Sequence, residues 1–161
     1  MITHHDQFEP ALNVFTVYGE QESRTSKIES EKRWSEILEE LTKIKLRKEN
    51  VILIGDFNKH IGSDHLGVNG NHDKISNGGH YVRQLVKDNE YIIVNNTDKT
   101  KGGPYTRYCP EDPDNDDKKA CLDLVIVSRG LLPYIHELHI DKEQIYSPVR
   151  IHQNKEVKPD H

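Results

Sequence analysis

Apolar positions along this chain fall into short runs and one long stripe, and their spacing predicts interleaved strands and helices. Leu12-Asn13-Val14-Phe15-Thr16-Val17-Tyr18 alternates loosely between apolar and polar residues, is rich in β-branched and aromatic side chains, and reads as a strand that stops at Gly19. After a polar loop through Thr25-Ser26, Trp34, Ile37, Leu38, Leu41 and Ile44 recur at three- and four-residue spacing. That is one face of a helix packed on something apolar, and it ends near Lys48-Glu49-Asn50. Val51-Ile52-Leu53-Ile54 is continuously apolar, as expected of a strand buried on both faces, and it delivers Gly55-Asp56-Phe57-Asn58 at its C-terminal end.

The stretch from Lys59 to Gly79 is rich in Gly, Asn, Asp and His and reads as a long loop. A second helix is expected over Gly79 to Asn89 with Val82, Leu85 and Val86 inward, followed by a buried strand at Tyr91-Ile92-Ile93-Val94. Gly102-Gly103-Pro104 is a turn, and Tyr105-Thr106-Arg107-Tyr108 is a short strand or edge segment. Cys121 to Val127 reads as a strongly apolar strand, Ile135 to Ile140 as one more strand, and the tail from Ser147 is polar. The interleaving suits an α/β two-layer or sandwich fold.

The 161 residues fit one domain by length, though 34% hydrophobic residues is a lean supply for its core. The net charge of -5 counts mildly against a module that binds nucleic acid by phosphate neutralisation alone. Much of the acidity sits in Glu111, Asp112, Asp114, Asp116 and Asp117, a run that reads as a solvated loop. Cys109 and Cys121 lack CxxC spacing, so a reduced intracellular chain is simpler than a disulfide. No apolar run approaches the ~18 residues that span a bilayer, and Met1-Ile2-Thr3-His4-His5-Asp6 does not read as a signal peptide.

Asp56 and Asn58 are two apart as the chain leaves a strand, so a carboxylate and an amide are expected to face one cavity. The carboxylate suits a hard cation or a proton, and the amide can orient a phosphate oxygen. An Asx turn explains the same pair about as well. Asp123 lies within an apolar run, where an unpaired carboxylate is costly, and a protonated imidazole is a natural partner. Asp160-His161 offers a carboxylate and such an imidazole, although a frayed terminus is the blander reading. Tyr18 can donate to a phosphate oxygen or serve as an ordinary rim residue. His60, His65 and His72 with Asp64 fit no tight zinc spacing, and exposed loop histidines account for them better. Phosphate-binding Gly-Lys loops, serine nucleophile elbows and the Rossmann fingerprint are all missing from the chain.

Taken in order, Tyr18, Gly55-Asp56-Phe57-Asn58, Asn77-Gly78-Gly79, Tyr91 to Asn96, Gly103-Pro104-Tyr105-Thr106-Arg107, Leu122-Asp123-Leu124 and Asp160-His161 resemble the DNase I-like endonuclease/exonuclease/phosphatase superfamily. The closest look is to the apurinic-like endonuclease domains of non-LTR retrotransposons. The resemblance implies a four-layer α/β-sandwich and hydrolysis of phosphodiester bonds in DNA with Mg²⁺ or Mn²⁺, in the nucleus or cytoplasm and not at a membrane. It implies that Asp56 handles the attacking water or leaving group, that Asn58 and Tyr18 contact the phosphate, and that Asp123 stands behind His161. Asp160 would be a metal ligand. A phosphatase or other phosphodiesterase of the same superfamily is the related alternative.

The resemblance covers nearly all of this chain but only the latter part of a family domain. The family's metal-binding Glu lies upstream of the Tyr segment, and nothing before Tyr18 matches it. Pro159 replaces the usual small hydroxyl residue before Asp-His, and Gly19-Glu20-Gln21 departs from the family's Pro-Asn segment. An uncovered sheet edge and apolar face are therefore expected, completed by a missing N-terminal segment or a second chain. An inactive remnant serving as a structural or interaction domain is the expectation from a different functional class.

Overall fold

The structure is a computed structural model that describes residues 10–19, 27–64, 74–107, 119–141, 150–152 and 155–157. In chain order the elements are β1 (Leu12–Tyr18), α1 (Lys27–Leu46), β2 (Asn50–Asp56), α2 (Asn77–Asn89), β3 (Tyr91–Ile93), β4 (Thr100–Gly102), β5 (Asp123–Ser128), β6 (Leu138–Ile140), β7 (Arg150–His152) and β8 (Lys155–Val157). Four of them form the main sheet in the order β1-β2-β5-β3. β1 and β2 run parallel, joined by α1 as a crossover, whereas β5 is antiparallel to both β2 and β3. Two small pairings, β4 with β6 and β7 with β8, lie outside this sheet. The class is mixed α/β, as the interleaved periodicities imply.

Alternation along the strands sorts the apolar residues onto two faces. Val51 and Leu53 of β2 and Leu124 and Ile126 of β5 pack with Trp34, Leu41 and Ile44 of α1 and Val82, Leu85 and Val86 of α2. On the opposite face Ile52, Val125 and Val127 meet Val94, Leu131, Ile135 and Leu138. That second cover stops short of the carboxyl end of β2, where Ile54 is 42% exposed. The apolar run at Val51–Ile54 is thus fully covered on the helix side alone, a correction to the expectation of burial on both faces. Ile37 departs in the same way: it shares the α1 stripe by spacing, yet the arc that neighbours cover does not reach it, and it is 42% exposed.

α1 and α2 meet through stacked rings, with Trp34 and Tyr81 at 6.2 Å between centroids and 14° between planes. α2 begins two residues before the position expected from its apolar stripe. The reason is a cap: the Ser76 hydroxyl accepts from the Gly79 N–H at 3.1 Å, satisfying a donor that the first turn leaves open. At the far end Glu90 adopts a left-handed conformation (φ 56°) and closes the helix.

Other boundaries shift for similar local reasons. The strand expected through Val94 ends at Ile93, and Val94–Asn96 turns away as a 3₁₀ segment. Among the described residues the segment around Tyr105 makes one bridge, Arg107 to Ala120, and no strand. The strand expected over Ile135–Ile140 shortens to β6. It follows a 3₁₀ helix, Arg129–Tyr134, that contains Pro133. β7 and β8 fall in the tail expected to be merely polar. Among the described residues no helix is long and apolar enough to cross a membrane.

Candidate functional site

β1 and β2 are parallel, so both end at the same edge of the sheet, and β5 begins there. Register places Tyr18 opposite Asp56, and Asp56 opposite Asp123. Partners in register share a face, and these three share parity with Leu12, Ile52 and Val125, which lie on the face away from the helices. One aromatic hydroxyl and two carboxylates thus form a row across three neighbouring strands. Tyr18 is its rim, 83% exposed, and Asp56 and Asp123 are half-buried.

The exit from β2 is closed by its own polar groups. The Asn58 N–H donates to Asp56 Oδ1 at 2.8 Å, which is the Asx turn that competes with a catalytic reading of this pair. The Asn58 amide nitrogen also donates to Asp56 Oδ2 at 2.9 Å and to the Gly19 carbonyl at 2.7 Å. Gly19 N–H donates in turn to the Asp56 carbonyl at 2.6 Å, and Phe57 N–H to the Leu122 carbonyl at 2.9 Å. Asn58 itself sits at φ 49°, a left-handed conformation that Asn tolerates better than most residues. A carboxamide has two N–H donors, and both are engaged within the protein. Asn58 is therefore a clasp between the ends of β1 and β2.

Asp123 is the first residue of β5 and half-buried, and so is less enclosed than its apolar neighbours imply. Its backbone is fixed from both sides by side chains. The Thr106 hydroxyl accepts from the N–H groups of Leu122 and Asp123 at 2.9 and 3.0 Å. The Asn95 amide donates to the Asp123 carbonyl at 3.1 Å, and its oxygen accepts from Val125 N–H at 2.8 Å. Asn95 thereby continues the β3–β5 ladder after β3 has turned away at Ile93. The sequence offers Asn95 and Thr106 only as parts of longer motifs; an amide directly after an apolar strand and a hydroxyl after a Gly-Pro turn were the available signals.

Asp160 and His161 lie outside the described residues, as do His65, His72 and Cys109. Asp64 is held by Arg83 in a two-pronged pair at 2.8 and 2.9 Å, and Arg83 also donates to the Ile61 carbonyl at 2.9 Å. Among the described residues no group of three or more His, Cys, Asp or Glu side chains is placed to hold a metal ion. This overturns the Mg²⁺ or Mn²⁺ expectation. The row contains two carboxylates, no third such group joins them among the described residues, and both oxygens of Asp56 accept hydrogen bonds from Asn58.

Behind the row lies Cys121, a buried thiol that donates to the Asp123 carbonyl and accepts from the Asn95 amide, each at 3.7 Å. Burial, and then the nearby Asp123 charge, push it from its ordinary 9.0 up to about 12, against smaller opposing effects from Asn95 and Thr106. The fold therefore keeps a proton that the unfolded chain gives up near pH 9.0. Stability from this source is complete below that pH and falls as pH rises toward 12. Urea midpoints between pH 8 and 10 should drop more for the unaltered chain than for Cys121→Ala. Tyr91, also raised from 10.0 to about 12 by burial, adds the same trend only at the upper end of that window, so the lower part isolates Cys121.

Comparison with protein-family descriptions, curated proteins and solved structures found no match to this chain. Fold and site together define a mixed α/β protein whose candidate site is a carboxylate row at one sheet edge.

Proposed function

We propose that the chain carries the phosphate-side framework of a DNase I-like, four-layer α/β-sandwich domain and works as a structural or interaction module, without hydrolysing phosphodiesters by itself. The Asn58 clasp carries this reading. In the resemblance Asn58 donates to a scissile phosphate, whereas here both donors bind Asp56 and Gly19. Freeing them means breaking one neutral and one charge-assisted hydrogen bond, about 2–4 kcal/mol before any phosphate contact is gained. That is roughly a thirty- to thousandfold penalty on phosphate engagement.

Hydrolysis of DNA phosphodiesters is the second reading, favoured by the register that aligns Tyr18, Asp56 and Asp123. In it Asp56 acts on the attacking water or leaving group, Tyr18 and Asn58 face the phosphate, and Asp123 orients His161. A role on nuclear DNA belongs to this reading alone.

Nicking of supercoiled plasmid by the purified chain separates the two, with Asp56→Ala as the control. We expect folded protein and no nicking that depends on Asp56. Nicking that Asp56→Ala abolishes would overturn the module reading in favour of an endonuclease. Turnover of small phosphate esters with intact plasmid would point instead to a phosphatase.

A further inference from the structure

The outer edge of β1 has no strand paired with it among the described residues, and its chemistry says what fits there. β1 reads LNVFTVY, with no charge and no proline along its seven residues. Natural edge strands are usually guarded by lysine, proline, a bulge or short length, because open N–H and C=O groups recruit other strands. None of these guards is present in β1. We propose that β1 pairs antiparallel with β1 of a second copy around a two-fold axis, joining two four-stranded sheets into one of eight strands.

The strand is self-complementary in this arrangement. Centring the register on Phe15 uses every residue: Phe15 faces its own copy, Val14 faces Thr16, Asn13 faces Val17, and Leu12 faces Tyr18. Each pair joins residues of the same parity, so the helix-side faces of both copies, with Phe15 and Val17, stay on one side. On the other face the pairing sets the Leu12 side chain against the 83% exposed ring of Tyr18 and extends the strip that Ile54 leaves open. Aromatic–aliphatic and aromatic–aromatic neighbours are among the more favourable cross-strand pairs. An isologous contact is also closed, so it stops at two copies and does not propagate into a fibre. The pairing goes beyond the proposed function and does not depend on it, since the plasmid assay can come out either way with the dimer intact.

Sedimentation and light scattering of the full chain from low to high micromolar concentration test this directly. The expected result is a dimer whose β1 amides become protected from hydrogen exchange as concentration rises. Thr16 is exposed on β1, so Thr16→Lys should leave the monomer folded while placing two like charges diagonally across the axis. Its dimer should be weaker by about threefold or more, and Thr16→Val should dimerise at least as well as the unaltered chain. A chain that stays monomeric throughout, a dimer with no concentration-dependent protection in β1, or a Thr16→Lys dimer of undiminished affinity each overturns the proposal. Should Thr16→Lys fail to fold, the exchange of β1 in the unaltered chain decides the matter.

Discussion

Phe57→Ala should lower the stability of the chain by about 3–5 kcal/mol, the range for deleting a buried aromatic ring. Phe57 is 1% exposed and packs in the helix-side cluster with Leu53, Ile61 and Leu124. It also separates Asp56 from Asn58, and its N–H holds Leu122 next to Asp123. Truncation therefore opens a cavity directly beneath the row. Small domains hold only about 5–15 kcal/mol in total, so the variant is expected to lose a large fraction of its stability. Urea titration followed by far-ultraviolet circular dichroism measures the change. A loss below about 1 kcal/mol would show that the site end of the core is not packed as described.

Gly55→Ala is expected to be nearly as damaging, for a different reason. Gly55 has φ 143°, a backbone region that side chains rarely adopt, and an added Cβ would lie 2.1 Å from the Val17 carbonyl oxygen. Neither atom can yield without moving β1 away from β2. Backbone strain of this kind amounts to about 1–3 kcal/mol, and displacement of the strand adds to it. The same displacement would separate Tyr18 from Asp56, because Gly55 opposes Val17 one position before that pair. Gly130→Ala is the contrasting control, since its added Cβ would have its nearest neighbour 4.0 Å away. It should change stability by no more than about 0.5 kcal/mol. Thermal unfolding of both variants, with hydrogen exchange of β1 amides, distinguishes local displacement from general destabilisation.

The candidate site was partly legible. Asp56 and Asn58 stand out because they follow an apolar strand, and the spacing of two correctly places them together. Their mutual hydrogen bonds follow from that proximity, but the third partner, Gly19, is 39 residues away in sequence. Whether the Asn58 amide faces outward or closes on Gly19 depends on where β1 ends relative to β2, and no local pattern encodes that. Asp123 was visible as a carboxylate in an apolar run, whereas its support was not. Asn95 reaches it across 28 residues and Thr106 across 17. The metal expectation failed for a related reason, since it came from the order of residues along the chain, and ligation is decided by convergence of oxygens in space.

What the chain's own pattern determined is the main elements and the helix-side face that most of them bury. Periodicities of two and of three to four residues follow from backbone geometry, and burying one face of each element is the only way to remove its apolar surface from water. β1, α1, β2, α2 and β5 were therefore readable to within a few residues. Tertiary structure alone decided the strand order β1-β2-β5-β3 and the alignment of Tyr18, Asp56 and Asp123 that follows from it. It also decided that Ile54 stays open and that β1 is an edge of the sheet among the described residues. Those outcomes depend on which surfaces compete for the same partner, a long-range choice that a stretch of ten residues does not contain.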